Sequence, residues 1–266
     1  MLGLHPFSRH AVRLGITLGG LAAAAACGDN TISGPTLDLN LSRVAGFHSL
    51  KTALINARKE ANGGFDLDMW AAVVDRNGLV VAVVFTGATS TDQWPGSRVI
   101  AAQKANTANA FSLPHLALST ANLYAATQPG GTLFGLQEAN PTNEDVAYGG
   151  NASDYGTPRD FMVGKRIGGT NVFGGGVALY DADGTLVGGL GVSGDASCAD
   201  HNIAWKMRYN LKLDHVPAGV ADGGKDDNII YDYVSGVSTS GFGHPECSDA
   251  ATTIGKALPT THPIGH

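Results

Sequence analysis

Residues 174–211 constrain the fold most, because this one stretch predicts a strand, a turn, a second strand and a helix in succession. Residues 177–180 and 186–192 are apolar runs, and residues 181–184 between them, Asp-Ala-Asp-Gly, have the composition of a tight turn. Gly184 can adopt the positive φ that closing such a hairpin requires. A β-hairpin followed at once by a helix is therefore predicted.

The second of these predicted strands is rich in glycine and carries few side chains. Glycine weakens the interior of a strand, and its presence there indicates that something bulky approaches the backbone closely. We expect Asp195 or Ser197 to cap the helix that begins at Cys198. The glycine-rich strand and the helix face that carries Cys198, His201 and Trp205 are interpreted as one wall of a pocket.

An earlier part of the chain has the same organisation. Residues 69–85 form two apolar runs around an Asp-Arg-Asn-Gly turn, and an alanine-rich helix is predicted from residue 98 to 111. Apolar residues at three- and four-residue spacing predict a further helix between residues 42 and 62. Gly63 and Gly64 are expected to end this helix. The two hairpins and their helices predict an α/β (α+β) domain built on one antiparallel sheet.

The composition excludes several classes of function. The chain has 266 residues, of which 43% are hydrophobic and 15% charged, so it is long enough for one globular core. Its net charge of −6 and lack of a basic patch argue against nucleic acid as a partner. No GxSxG, HExxH or P-loop motif is present in the sequence.

The N-terminus has the pattern of a signal peptide. Arg9 and Arg13 precede an apolar run over residues 14–26, which is too short to span a bilayer. Cys27 follows three alanines, a pattern that resembles a bacterial lipobox with alanine where leucine is usual. We therefore expect residues 1–26 to be removed and Cys27 to be lipidated. Cleavage by an ordinary signal peptidase after an Ala-x-Ala site is the alternative.

The rest of the chain is divided by composition. Gly28 stands where an aspartate would retain a lipoprotein at the inner membrane, so the expected location is the periplasmic face of a bacterial outer membrane. Residues 27–41 read as a tether, residues 42–215 as the folded domain and residues 216–266 as an irregular C-terminal extension. Residues 128–159 are rich in glycine, asparagine and proline and predict a long loop.

Once Cys27 is assigned to the signal, Cys198 and Cys247 remain. An even pair in an oxidising compartment predicts a disulfide, which would close a loop of about 50 residues and stabilise the fold by roughly 3–4 kcal/mol. It would also attach the C-terminal tail to the start of a helix. A metal-binding or redox-active cysteine is the alternative, although no CxxC spacing supports it.

Three segments together carry a family resemblance: AVVDRNGLVVA, the helix KANTANAF and GGGVALYDADGTLVGGLGVSGD. They resemble the GlcG/HbpS family of heme-binding proteins, and the resemblance covers about residues 42–212. It implies a profilin-like arrangement, in which helices flank an antiparallel sheet. It further implies homo-oligomerisation, and heme bound between helices or at subunit contacts.

Heme requires an apolar slot, an axial iron ligand and cations for two propionates. His201 is the first candidate ligand, because Trp205 and Tyr209 follow it on one helix face. His48, on the apolar stripe of the first predicted helix, is the second, and some members of the resembled family use a histidine in their N-terminal helix. The alternatives are an interior or capping histidine for His201 and a half-buried packing histidine for His48.

The remaining candidates are cations and tail histidines. Lys104 and Arg98 could pair with heme propionates, the alternative being solvated helix charges. His244 and the other tail histidines are expected at the surface. The resemblance, together with the signal-peptide pattern, thus implies an exported heme-binding protein for heme storage, sensing or delivery. A heme-degrading or heme-dependent redox enzyme on the same scaffold is the alternative, and a structural or interaction module without ligand is a third possibility.

Overall fold

The computed structural model describes residues 36–265. The predicted signal peptide, the predicted lipidation site Cys27 and most of the predicted tether lie outside the described residues. The helices and strands are, in chain order, α1 (Leu39–Ala45), α2 (Phe47–Lys59), β1 (Trp70–Asp75), β2 (Val80–Phe85), α3 (Ser97–Phe111), α4 (Tyr124–Thr127), α5 (Leu136–Ala139), α6 (Glu144–Tyr148), β3 (Gly176–Tyr180), β4 (Leu186–Ser193), α7 (Ser197–Leu211), β5 (Tyr233–Val234), β6 (Val237–Ser238) and α8 (Asp249–Thr261). None of the described helices is both long and apolar enough to cross a bilayer.

The two predicted hairpins form one four-stranded antiparallel sheet of order β2-β1-β4-β3. They join through β1 and β4, where Trp70 lies opposite Ser193 and Asp75 opposite Gly188. Helices lie on both faces of this sheet, so the predicted α/β fold with an antiparallel sheet flanked by helices is confirmed. The short β5–β6 ribbon is a separate two-stranded sheet.

The two hairpin turns share one hydrogen-bond pattern, which explains their common Asp-x-x-Gly composition. In each turn the aspartate Oδ1 accepts hydrogen bonds from backbone N–H groups two and four residues later, at Asn77 and Leu79 for Asp75 and at Asp183 and Thr185 for Asp181. Gly78 and Gly184 have φ angles of 77° and 74°, in the left-handed region that favours glycine. The turn residues therefore fix both hairpins locally.

Each face of the sheet has its own hydrophobic core. Helices α2 and α7 cover one face, where Leu50 and Leu54 of α2 and Ile203 of α7 pack against sheet residues such as Leu190 and Val192. Helix α3 covers the other face with its alanines. Fully burying a leucine or isoleucine contributes roughly 1.5–3 kcal/mol before entropy costs. Helices therefore cover both faces of the sheet.

The glycines of β4 are explained by α3. Leu190 and Val192 point to the α2–α7 face, whereas Gly189 and Gly191 face α3. A Cβ on Gly191 would lie 1.9 Å from the Ala101 carbonyl oxygen, and one on Gly189 would lie 2.2 Å from the backbone oxygen of the α3 residue Ala105. The group that approaches this strand is therefore a helix backbone. The interpretation of the strand as a pocket wall is wrong.

Several predicted helix boundaries differ from the structure. The single helix expected over residues 42–62 is two helices, separated at Gly46, whose ψ of −179° is extended. The first begins at Leu39, because the Asp38 side chain caps it, so the end of the predicted tether belongs to the folded domain. Neither Asp195 nor Ser197 caps α7. The Asp195 carboxylate instead accepts hydrogen bonds from the backbone N–H groups of Phe65 and Leu67.

The C-terminal extension is more regular than predicted. Residues 249–261 form α8, which Ser248 caps and which packs against α7. The prediction of an irregular extension is therefore wrong for this segment. The structure contains the predicted Cys198–Cys247 disulfide, which links α7 to the residue before the α8 cap over a sequence separation of 49. The predicted 128–159 loop contains α5, α6 and a 3₁₀ turn.

The contact between β4 and α3 leads to a testable prediction. We expect Gly191→Ala to destabilise the protein by about 1–3 kcal/mol or more, because the new methyl group overlaps the α3 backbone. The matched control is Gly96→Ala, since Gly96 has φ −64° and a Cβ there would meet nothing within 4 Å. Urea unfolding midpoints measure both changes. Equal midpoints for the two variants would contradict the proposed close contact.

Candidate functional site

The candidate residues predicted from the sequence lie in three different places. His48 is on the surface of α2. His201 and Trp205 are buried on α7, and Arg98 and Lys104 are buried on α3. The structure therefore does not bring the predicted ligands and the predicted propionate partners into one pocket.

Arg98 is held in a buried ion pair. Its guanidinium donates to both carboxylate oxygens of Asp160, and its Nη1 donates to the Ala147 carbonyl at 2.7 Å. The Tyr155 ring centroid lies 3.6 Å from the guanidinium carbon. Only 2% of the Arg98 surface is exposed. A heme propionate could not compete for this guanidinium without breaking the Asp160 pair, so the predicted role of Arg98 does not fit the structure.

Lys104 is in a similar position. Its Nζ lies 2.7 Å from Asp200 Oδ2 and 3.0 Å from the Val192 carbonyl oxygen. The other oxygen of Asp200 accepts a hydrogen bond from the backbone N–H of Asp195. Burial raises the pKa of Asp200 to about 6, and the Lys104 ammonium opposes that rise. Lys104 is therefore held in a buried ion pair inside the domain, and its predicted pairing with a heme propionate does not fit the structure either.

His201 is an interior histidine. Its Nε2 lies 3.1 Å from Asn228 Oδ1 and 3.1 Å from the Ile229 backbone nitrogen, and its ring centroid lies 6.4 Å from that of Trp205. Burial lowers the pKa of His201 to about 4, so the ring is neutral at physiological pH. Nδ1 has no hydrogen-bond partner among the described residues, but none of the side chain is exposed. A heme could reach it only if the C-terminal segment moved away.

His48 is the predicted ligand that reaches solvent. It is exposed at the edge of a cleft of about 480 Å³, which α1, α2 and the end of α7 enclose. Val44 and Leu211 supply apolar walls, and Lys212 supplies a cation. The His48 ring makes an edge contact with Phe47, with centroids 5.4 Å apart. The cleft thus offers an imidazole, one ammonium group and a few apolar side chains, while Ser49, Thr52, Asn56 and Asn210 make the rest of its lining polar.

The structure also brings together residues that the sequence analysis missed. His244, expected at the surface, is only 2% exposed and lies beside the disulfide. Its Nε2 is 2.9 Å from Ser197 Oγ and its Nδ1 is 2.7 Å from the Pro245 carbonyl oxygen. Burial lowers the pKa of His244 to about 4. The predicted Cys198–Cys247 pairing was the available signal, because it places His244 close to the start of α7.

A second missed pair is Arg208 with Asp227. Both side chains are buried, and the guanidinium donates two hydrogen bonds of 2.7 and 2.8 Å to the carboxylate. Arg208 also donates to the Ala178 carbonyl oxygen, which attaches the sheet to the C-terminal segment. The two residues are 19 positions apart and match no motif, so the pairing could not be predicted from the sequence. The ion pair fixes Asp227, and with it the next residue, Asn228, which contacts the His201 ring.

A protein-family model described as "Haem degrading protein HbpS-like" matches residues 48–207. The chain belongs to this family. The resemblance to the GlcG/HbpS family predicted from the three sequence segments is thereby confirmed. The matched region runs from His48 at the start of α2 to Met207 on α7, and so includes both hairpins and α3.

Among solved structures, the chain is similar to the PduOC:heme complex, with 23% identity over 66% of this chain and 95% of that chain and a TM-score of 0.43. It is also similar to the Klebsiella pneumoniae protein ORFY, with 21% identity over 67% and 94% of the two chains and a TM-score of 0.44. A structure of HbpS shares 20% identity over 69% and 95% of the two chains, with a TM-score of 0.39. No protein with a curated description matches the chain.

The buried neutral state of His201 predicts a pH dependence of stability. Because burial lowers its pKa from 6.5 to about 4, the unfolded chain binds more protons between these values. The contribution of His201 to the free energy of unfolding should therefore fall as the pH is lowered from 6.5 towards 4. His244, whose pKa burial also lowers, acts in the same direction, whereas Asp200, whose pKa burial raises, acts in the opposite direction. Asp227 opposes the depression of the His201 pKa, whereas Arg208 and His244 add to it.

Between pH 6.5 and 4, the ionisation of His201 should lower the free energy of unfolding by on the order of 3 kcal/mol. We expect His201→Leu to abolish this part of the change, whatever the variant's stability at neutral pH. Urea unfolding between pH 4 and 7 measures the slope. His48→Ala is the control, since it removes an exposed histidine from a different helix. A wild-type slope in the His201 variant would show that the buried ring is not the titrating group.

Proposed function

We propose that this protein binds heme noncovalently in the cleft beside His48. Membership of a family described as haem degrading supports heme as the ligand. The observation that carries the choice of site is the exposure of His48 at the edge of the 480 Å³ cleft, whereas His201 is enclosed. The volume of the cleft also lies within the range of known ligand pockets, which is roughly 300–1,000 Å³.

Each residue of the cleft has a defined part in this proposal. His48 presents an imidazole ring from the first turn of α2 and would bind the iron of the heme. Val44 and Leu211 would contact the apolar face of the porphyrin, and the Lys212 ammonium would pair with a propionate. Bound heme would supply a redox-active iron. The protein would hold the ring and exclude water from one of its faces.

The open side of the cleft supports a further part of the proposal. A heme held by one surface cleft keeps part of its ring in water, which suits uptake and release and hence storage, sensing or delivery. A second copy of the chain could cover the exposed part, and Val44, an apolar residue 40% exposed at the cleft, would gain from that burial. We therefore propose a homo-oligomer with heme near the subunit contact.

The family description also favours a second function, oxidative degradation of the bound heme. In that case the open side of the cleft would admit oxygen and a reductant to the ring. The two functions differ in the fate of the ligand. A binder keeps the heme spectrum constant in the presence of a reductant and oxygen, whereas an enzyme converts it to that of a bilin.

Heme titration of the purified protein tests the proposal. We expect a shifted Soret band for the wild-type protein, and for His48→Ala a changed Soret position with affinity lowered about tenfold or more. His115→Ala is the matched control, because His115 is an exposed histidine outside the cleft. Sedimentation of the same samples reports the oligomer, and addition of ascorbate in air separates binding from degradation.

Three outcomes would contradict parts of this proposal. A wild-type protein without a Soret shift would leave the ligand-free interaction module as the remaining function. A His48 variant with wild-type affinity and spectrum would place the heme elsewhere. A monomer with and without heme would exclude the homo-oligomer.

We further propose that the protein is exported and attached to a bacterial outer membrane through a lipid on Cys27. This rests on the sequence alone, namely the apolar run over residues 14–26 and the alanines before Cys27. In cells fed a labelled fatty acid, we expect label on the wild-type protein in the membrane fraction and none on Cys27→Ser. Unlabelled wild-type protein in the soluble periplasm would instead indicate ordinary signal cleavage.

A further inference from the structure

The disulfide corner of the protein contains three groups that can bind a metal ion. Cys198 lies in the first turn of α7, Cys247 precedes the α8 cap, and His244 lies beside their two sulfurs. One ligand atom from each of these residues falls within 4.8 Å of the other two. Cys198 and His244 are buried, while Cys247 is exposed. This corner lies outside the cleft beside His48.

We propose that reduction of the Cys198–Cys247 disulfide converts this corner into a binding site for a soft divalent metal ion such as Zn²⁺. The ligands are the two cysteine sulfurs and one ring nitrogen of His244. Two thiolates and an imidazole are ligands that Zn²⁺ prefers, and a water molecule would complete a four-coordinate site. Oxidation removes the site, because the two sulfurs are then bonded to each other, and reduction makes both sulfurs available to a metal ion.

The chemistry balances as two steps. A dithiol reductant attacks the exposed Cys247 sulfur as a thiolate, the S–S bond breaks, and Cys198 leaves as a thiolate. The second thiol of the reductant then releases Cys247, so the reductant ends as a disulfide and the protein gains two electrons and two protons. When a divalent ion binds, it replaces those two protons on the sulfurs.

The local structure favours negative charge on both sulfurs. Cys198 is the second residue of a 15-residue helix, so its sulfur lies near the positive end of the helix dipole. The Cys198 backbone N–H points at the Cys247 sulfur, with a nitrogen–sulfur distance of 3.2 Å. The helix dipole stabilises the Cys198 thiolate that leaves during reduction, and the backbone N–H stabilises the Cys247 thiolate that is released next. Both features then act on the two metal ligands.

His244 is held ready for coordination by its own hydrogen bonds. If the metal ion binds Nε2, then Nδ1–H still donates to the Pro245 carbonyl oxygen, 2.7 Å away. If the metal ion binds Nδ1, then Nε2–H donates to Ser197 Oγ, 2.9 Å away. The Tyr124 ring packs against the imidazole, with centroids 4.9 Å apart. Such outer contacts orient a metal-binding histidine and tune its affinity.

The spacing of the backbone suits both states. The Cα atoms of Cys198 and Cys247 are 6.0 Å apart. A tetrahedral ion with metal–sulfur bonds of about 2.3 Å keeps its two sulfurs about 3.8 Å apart. Rotation of the two cysteine side chains can supply that separation without moving α7, whose first turns are buried in the core.

Cobalt binding tests this proposal, with the full chain carrying Cys27→Ser so that the third cysteine does not contribute. The protein is reduced with a phosphine under nitrogen and titrated with Co²⁺. We expect thiolate-to-cobalt charge-transfer bands that saturate at one equivalent and disappear when Zn²⁺ is added. The oxidised protein, which contains the same histidines, is the first control and should give no such bands.

Two variants make the test specific. His244→Asn leaves the disulfide in place and should lower the affinity of the reduced protein for Co²⁺ by about 10–100-fold. His115→Asn, at an exposed loop, is the matched control and should bind as the wild-type protein does. Circular dichroism follows the fold in every sample.

The proposal is overturned if the reduced protein gives no charge-transfer bands while its fold is retained. It is also overturned if His244→Asn binds Co²⁺ as tightly as the wild-type protein. Reduced protein that unfolds and does not refold when Zn²⁺ is added would overturn it as well, because a formed site would then be absent.

Discussion

The contact between the backbone of α3 and the glycines of β4 determines much of the structure. Gly189 and Gly191 let the helix lie against the strand so closely that a methyl group would overlap its carbonyl oxygens. At that distance, long α3 side chains cannot all reach solvent, and Arg98 and Lys104 end inside the protein. Each then needs a carboxylate, because an unpaired buried charge costs several kcal/mol. Asp160 and Asp200 supply those carboxylates.

This packing also limits where a ligand can bind. The α3 face of the sheet is filled by the helix itself, and its two charged side chains are occupied by ion pairs. The opposite face is filled by α2 and α7. A ligand of the size of heme must therefore bind at an outer edge, where helices meet without filling the space. The junction of α1, α2 and the end of α7 is such an edge, and His48 and Lys212 lie there.

The sequence predicts those parts of the structure that local chemistry determines. The Asp-x-x-Gly turns, the two hairpins and the cysteine pair were predictable, because turn hydrogen bonds and cysteine counts are local or simple signals. Burial of Lys104 was not predicted, and an interior His201 was only one of the alternatives, because burial depends on which distant segment covers each helix. Helix α8 was missed because threonine, glycine and Pro259 weaken its helical pattern, and its packing on α7 compensates.

Helix α7 connects the disulfide corner with the cleft beside His48, the two places at which binding is proposed. Its first residues carry the disulfide corner, and its last residue, Leu211, lines the cleft beside His48. A helix of 15 residues separates its ends by roughly 20 Å. Residues 198–208 are all buried, so α7 cannot shift along its axis without disturbing the packing on α2 and the sheet. Side-chain rotation at Cys198 therefore remains local. The packing of α7 on α2 and the sheet therefore predicts that a redox change at one end of the helix and ligand binding at the other act independently.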